Sequence, residues 1–211
     1  MNSCDFNLEI FKGPVGISCS GGADSSLLLY LLMKYSKEKI HIFTTVSNFK
    51  QRKTSQVILN VINQCIKLTG NINIEHHLHY CEEQNIKNLF SICKEWLSND
   101  YIKVMYTGIT NNPPIEVLNS FNNKMDIVDS KDRDSTIKKE EFINKFYMPF
   151  RNMDKQCIAD LYDYYGLIDN LYPITRSCEW IPQLGGSDPG LGHCGNCWWC
   201  EERKWGFQKY V

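Results

Sequence analysis

The sequence predicts an α/β protein built on a parallel sheet, and three observations carry that prediction. Apolar strand-like segments alternate with helix-period segments from Val15 to Gly108. The strands are β-branched or alternate at period two, and each helical segment presents one apolar face. A glycine-serine turn follows the first strand directly, at Ser20–Ser25. Regular alternation with right-handed crossovers gives a parallel sheet with helices on both faces.

Taken in order, the first strand is "VGISCS", from Val15 to Ser20, and a helix follows with Leu28, Leu31, Leu32 and Tyr35 on one face. The second strand is "IHIFTTV" from Ile40, followed by a helix whose face is Val57, Ile58, Val61, Ile62, Cys65 and Ile66. "INIEHHLHY", ending at Tyr80, makes the third strand, and Ile86, Leu89, Phe90, Cys93, Trp96 and Leu97 make the next helical face. Part of "YIKVMYTG", ending at Gly108, is the fourth. Four strands are therefore expected. From 110 to 146 the pattern lapses into "NNPP" and the charged tract "DIVDSKDRDSTIKKEE". Long irregular segments are usually lids, binding loops or disorder, so this one reads as a solvated insertion. Asp126, Asp129, Asp132 and Asp134 invite a calcium reading, but the glycine and terminal glutamate of an EF-hand loop are missing. A last helix presents Ile158, Leu161, Tyr162 and Tyr165. The expected organisation is a core over 1–150, with the irregular insertion inside it, and a C-terminal helix with a metal-binding lobe over 151–211.

With 211 residues, 43% of them hydrophobic, the chain can bury a real core. Its formal net charge of -1 argues against a broad basic surface for nucleic acid. The N-terminal "MNSCDFNLEIFK" has acids and no apolar h-region, and the longest apolar run, "LLLYLLM", is too short to span a bilayer. A cytoplasmic protein without membrane contact is expected.

The turn "SGGADS" is not a Walker loop, because no lysine follows Gly21 and Gly22 until Lys34. It shares that loop's physics. Adjacent glycines let backbone N–H groups face an anion, and a helix starting near Asp24 adds its positive end. Cys19, Ser20, Gly21, Gly22, Ala23, Asp24, Ser25 and Ser26 thus form a candidate phosphate loop, with Asp24 a candidate Mg²⁺ ligand. The plainer reading is a strand-to-helix turn capped by Asp24. Ligands of parallel sheets bind beyond the strands' carboxyl ends. "VSNFKQR" and "TGITNN" fall on the same rim, adding Ser47 and Gly108 to the nucleotide candidates.

Ten cysteines divide into six spread over the first 157 residues and four in the last 34. Cys194, Cys197 and Cys200 sit at two successive C-x-x-C spacings, and Cys178 lies sixteen positions upstream. Four thiolates at such spacing suit a closed, structural Zn²⁺ site, with Gly195 in the turn; a set of buried free cysteines is the alternative. His193 adjoins Cys194 too closely for easy joint ligation. His77 and His79 share a strand face and His76 points to the other, so the three do not make one histidine site. Trp198 and Trp199 read as a cover for the metal lobe rather than a base-stacking platform.

Read from both ends, the chain resembles the N-type ATP pyrophosphatases (the PP-loop group), whose S-G-G-x-D-S signature is matched from Ser20 to Ser25. Within that group it is most similar to the 7-cyano-7-deazaguanine synthase family. The family's P-x-x-x-x-K, T-x-S-C and C-G-x-C-x-x-C-x-x-R segments find matches in "NMDK" after Arg151 ending at Lys155, with Pro149 upstream. They continue in Thr175, Ser177 and Cys178, then in Cys194, Gly195, Cys197, Cys200 and Arg203, with the aromatic Phe207 beyond. The chain departs from the family after the second strand, where D-Y-G-Q is replaced by Asn48, Phe49, Lys50 and Gln51, and after the fourth, where "TGITNNPPIEVL" lacks Y-P-D-C. The stretch from Cys178 to Cys194 is also longer than the family's.

The resemblance implies an adenine nucleotide alpha hydrolase-like (Rossmann-like) fold, ATP and Mg²⁺ at the loop, and a structural Zn²⁺. It implies activation of the carboxylate of 7-carboxy-7-deazaguanine as an acyl adenylate with release of pyrophosphate. Ammonia then gives an amide, and a second activation gives the nitrile. Asp24, Lys155 and Arg203 are the implied catalytic residues, and Phe49, Lys50, Gln51 and Arg52 the candidate substrate residues, with Asn48, Asn111 or Asn112 on the guanine edge. The expected partners are a deazapurine and ammonia, with no stable nucleic-acid partner; a homodimer is compatible with the sequence. Two other readings stay open: a related enzyme acting on a tRNA base or protein terminus, where Cys19 or Cys81 could be a reactive thiol, and a non-catalytic nucleotide-binding adaptor in defence.

Overall fold

The apolar stretch Val15–Ser18 forms the central strand β1, and the full burial of Val15 and Ile17 explains why it reads as a continuous apolar run. This is a computed structural model describing residues 6–47, 51–81, 86–121, 133–178 and 190–210, with backbone only at 47, 51–54, 81 and 86–88. Strand β1 pairs in parallel with β2 (Ile40–Ser47) on one side and β4 (Val104–Thr107) on the other, Val15 standing opposite both Ile40 and Val104. Beyond β2 lies β3 (Ile74–Cys81), also parallel.

The described sheet has six strands, not the four the sequence predicts, in the order β3-β2-β1-β4-β6-β5. The additional pair, β5 (Phe142–Ile143) and β6 (Phe146–Tyr147), is a tight hairpin at the end of the segment that reads as irregular. Its turn residues Asn144 and Lys145 have φ of 52° and 67°. Two successive left-handed residues are what a two-residue hairpin turn needs to follow the strand twist. Strands this short leave too few alternations to register as a period. A short helix, α4 (Ile115–Ser120), lies in the same stretch.

The crossover helices take opposite faces. Helices α1 (Ala23–Tyr35) and α2 (Gln51–Thr69) join Ile17, Ile42 and Tyr106 in the main core. Helix α3 (Ile86–Ser98) covers the other face, packing Cys93 and Leu97 against Phe43, Ile102 and Met105. A side chain at Gly16 would come within 2.6 Å of the Met105 sulfur, so that packing requires glycine. The expected one-sided face of α1 is a correction. Leu27, Leu29, Tyr30 and Met33 are buried along with Leu28, Leu31 and Leu32, while Tyr35 is 48% exposed. Packing on the sheet, α2 and α5 together closes every side of the helix except its end.

Helix α5 (Lys155–Tyr164) is capped by Asp154, whose carboxylate accepts from the Gln156 and Cys157 amides. Its Ile158, Ala159 and Tyr162 enter the main core, as does Phe207 of α6 (Trp198–Phe207). Helices α5 and α6 meet where a Cβ on Gly206 would stand 2.3 Å from the Lys155 side chain. Between them a 3-10 turn, Tyr172–Ile174, leads to Cys178. Among the described residues no helix is long and apolar enough to cross a membrane.

Candidate functional site

The direction of strand addition reverses between β1 and β4, so a crevice opens at their carboxyl ends. Ser20–Gly22 sits there. Gly21 has φ +80°, and a Cβ on it would also meet Val57 at 2.7 Å. Gly108 closes the other wall, where a Cβ would lie 3.0 Å from the Ser25 amide nitrogen and 3.1 Å from the Asp24 carbonyl carbon. Both glycines allow backbone to approach backbone, or a ligand, where any side chain would intervene.

Inside the loop, Ser25 Oγ accepts from the Ser20 amide at 3.2 Å and lies 3.3 Å from Ser20 Oγ and from the Gly22 carbonyl. The N-cap Gly22 offers α1 no side-chain cap. Instead the chain's C-terminal part supports the loop: the Ala23 amide donates to Ser177 Oγ at 3.4 Å and the Arg176 amide to the Gly21 carbonyl at 2.8 Å. Tyr162 donates to the Ala23 carbonyl at 2.8 Å. Asp24 does not cap the helix, as the plainer sequence reading had it. Its Oδ2 lies 2.5 Å from Lys155 Nζ, and its Oδ1 is buried with no hydrogen-bond partner among the described residues.

Lys155 is 3% exposed and also lies 3.5 Å from Glu202 Oε2, while Arg133 pairs with Glu202 Oε1. Arg133 further donates to the Thr110 and Asn111 carbonyls. Charges therefore alternate along Asp24, Lys155, Glu202 and Arg133, which is how buried ionised groups escape the cost of burial. Glu202 and Arg133 escaped the sequence reading, since nothing in spacing or period marks a long-range buried pair. Arg203 is 7% exposed, its guanidinium 3.8 Å from the Tyr172 ring centre, and donates to Thr175 Oγ1, Ser177 Oγ and the Tyr172 carbonyl. It holds the very segment that reaches the loop. Burial lowers its pKa from the ordinary arginine value.

Cys19 is fully buried, donates to the Ser25 carbonyl, and has its thiol pKa pushed up by burial to about 11. Ser26 is fully buried too, and its hydroxyl, like that of Thr107, has no partner among the described residues. Asn111 and Asn112 are buried; Asn111 accepts from Lys139 and its amide donates to the Met153 carbonyl. Ser47 ends β2, and Gln51 and Arg52 begin α2. Asn48, Phe49 and Lys50 lie outside the described residues, as do Asp126, Asp129 and Asp132.

At the far end of the chain, Cys178, Cys194, Cys197 and Cys200 bring their sulfurs within 4.8 Å of one another. The closest separations are 3.4 Å (Cys197–Cys200), 3.9 Å (Cys194–Cys200) and 4.0 Å (Cys197–Cys178). Four thiolates about 2.3 Å from one tetrahedral ion stand about 3.8 Å apart, so the group fits a single metal ion. Backbone amides of Cys194 and Cys197 donate to the sulfurs of Cys178 and Cys194. Hydrogen bonds from Cys197 and Cys200 lower the Cys178 pKa and favour its thiolate. Gly195 takes φ +76° in the turn between them. Trp199 packs on this group, while Trp198 is buried against Leu118 and Phe121 of the α4 region.

The fold and site together define a Rossmann-like α/β protein with a glycine loop at its sheet's switch point and a four-cysteine group that could bind a metal. No family model matches the chain, and no curated protein matches it. Among solved structures it is similar to the U34-tRNA thiolase NcsA from Methanococcus maripaludis with its [4Fe-4S] cluster, at 14% identity and a TM-score of 0.44. That likeness covers 74% of this chain and 57% of the thiolase, so the chain matches less than two thirds of the thiolase's length.

Proposed function

We propose that the chain is an ATP-using enzyme of the PP-loop type that adenylates the carboxylate of 7-carboxy-7-deazaguanine and, with ammonia, converts it through the amide to the nitrile. The observation that carries the reading is Asp24, placed at the start of α1 between two close-packed glycine turns, with one carboxylate oxygen held by buried Lys155 and the other buried without a partner among the described residues.

ATP is a substrate here. The turn at Gly21 and Gly22 and the N-terminus of α1 receive the leaving pyrophosphate, where oriented amides meet growing negative charge. Asp24 Oδ1 is the group for Mg²⁺, which when bound would neutralise phosphate charge. Lys155 fixes the Asp24 carboxylate and adds a cation beside the phosphates. Arg203 acts through Thr175 and Ser177, keeping the segment that contacts the Ala23 amide in place. Attack of the carboxylate oxygen on the α-phosphorus breaks the α–β bond. Ammonia then displaces AMP to leave an amide, and a second adenylation on the amide oxygen lets AMP and a proton depart as the nitrile forms. Zn²⁺ held by Cys178, Cys194, Cys197 and Cys200 is a folding element in this scheme.

A buried thiol whose pKa is raised to about 11 supports this reading over base thiolation through Cys19. The test is incubation with ATP, Mg²⁺, ammonia and 7-carboxy-7-deazaguanine, followed by mass spectrometry of the deazapurine. Amide and nitrile are the expected products. Unchanged carboxylate, with turnover restored by a tRNA or a protein acceptor, would transfer the chemistry to another substrate.

A further inference from the structure

We propose that His41, Glu75 and His77 form a second metal site, for a divalent transition ion, at the opposite end of the sheet from the nucleotide crevice. The β2–β3 register pairs His41 with Glu75 and Phe43 with His77, so all three candidate ligands project from one face of two adjacent parallel strands. His41 Nδ1 and His77 Nε2 are 3.1 Å apart, and the carboxylate straddles them, Oε2 lying 3.8 Å from His41 and Oε1 3.8 Å from His77. Those two carboxylate distances are too long for hydrogen bonds. Ligand atoms about 2.1 Å from one tetrahedral ion stand about 3.4 Å apart; one atom from each of the three residues lies within 4.8 Å of the others, so the half-exposed carboxylate need only turn toward the imidazoles to close the set. A bare hydrogen-bonded histidine pair accounts for the 3.1 Å contact alone and leaves the carboxylate's placement to Lys39, which lies 2.9 Å from Oε2.

The surroundings are those of a supported site. Trp96 stands against both imidazoles, with ring centres 5.0 Å from His41 and 4.8 Å from His77, and Phe43 stacks on His77 at 5.0 Å. These contacts fix both rings. The His41 and His77 side chains are 11% and 17% exposed, whereas Glu75 is 48% exposed, so the open side faces water and a solvent ligand would complete the coordination. Lys39 is 43% exposed on a flexible stem, and such surface pairs contribute little, so the lysine yields readily to an ion. Two imidazoles and a carboxylate suit Zn²⁺ or Fe²⁺ rather than Mg²⁺ or Ca²⁺. His41 stands beside Gly16, and four further residues of that strand and turn at about 3.3 Å each put the site about 13 Å along the strands from Ser20. Because β3 is the outer strand on that side, an ion there ties the sheet's edge to its neighbour. His76, on the other face, instead bonds Thr44.

The experiment exchanges the full chain into Co²⁺ without a metal-free step, keeping the four-cysteine site filled, then titrates it with further Co²⁺ and counts bound metal by elemental analysis after gel filtration. Two equivalents are expected in the wild type. One carries sulfur-to-cobalt charge transfer, and the second adds only ligand-field bands. In His77→Ala the second equivalent is lost and the first retained. Glu75→Gln, a half-exposed surface change that keeps the fold should His77→Ala not, weakens the second by at least about tenfold. A single equivalent in the wild type, or a second one unaltered in Glu75→Gln, would leave only a hydrogen-bonded histidine pair and overturn the site.

Discussion

The Ser20–Ser25 loop and the four-cysteine lobe are organised in opposite ways. The lobe's last three cysteines are neighbours in sequence, and its sulfurs and amides hold one another. The loop looks equally local as "SGGADS", yet beyond the contacts of Ser25 with Ser20 and Gly22 its partners come from Ser177, Arg176, Tyr162 and Lys155, more than 130 residues away. A local motif can thus depend on distant chain for its shape. Ser177 and Cys178 are adjacent, so the support of the loop and the first cysteine of the lobe lie on one stretch of backbone.

The comparison breaks most visibly if the four cysteines lose the metal proposed for them. Chelation or Cys197→Ser is expected to cause the largest loss of stability, because a structural metal contributes folding energy directly. Melting temperature against chelator concentration, with bound zinc measured in parallel, checks it. Zinc-free protein of undiminished melting temperature would detach the lobe from the fold. Next comes Lys155→Met, which takes the paired cation from partly buried Asp24 and leaves buried Glu202 with Arg133 alone. Urea unfolding should show a loss of about 3–5 kcal/mol.

Asp24→Asn separates chemistry from stability. Lys155 keeps Glu202 as a partner, so unfolding should shift by only about 1–3 kcal/mol. Turnover should fall at least about 100-fold, the scale for losing one preorganised charge-stabilising group. Of similar size in the same unfolding assay is Gly21→Ala, strained at φ +80° and crowded by Val57, with an expected cost of about 1–3 kcal/mol. Smallest is alkylation of Cys19. With a thiol pKa of about 11, about one molecule in a thousand is thiolate at pH 8, and burial blocks access as well. Peptide mapping after iodoacetamide should find Cys19 unmodified in the native chain.

Much of this was legible in the sequence, for identifiable reasons. Strands β2 and β3 and helices α2 and α3 are long enough to show their period, β1 and β4 read as short apolar runs, and C-x-x-C-x-x-C fixes three sulfurs by covalent proximity. The β5–β6 hairpin was not legible, because two-residue strands have no period and the Asn144–Lys145 turn lacks glycine. Arg133 and Glu202 could not be paired from sequence, since one lies in a charged tract and the other in a helix 69 positions on. His41 showed the same gap: the sequence put His77 and His79 on one face but held no register to bring His41 beside them.

The loop's assignment is tested most directly by its nucleotide products. Phosphorus NMR of a reaction containing ATP, Mg²⁺, ammonia and 7-carboxy-7-deazaguanine should show AMP and pyrophosphate accumulating together in the wild type and neither appearing at a comparable rate in Asp24→Asn. Accumulation of ADP and orthophosphate in the wild type would place cleavage at the β–γ bond and contradict the assignment.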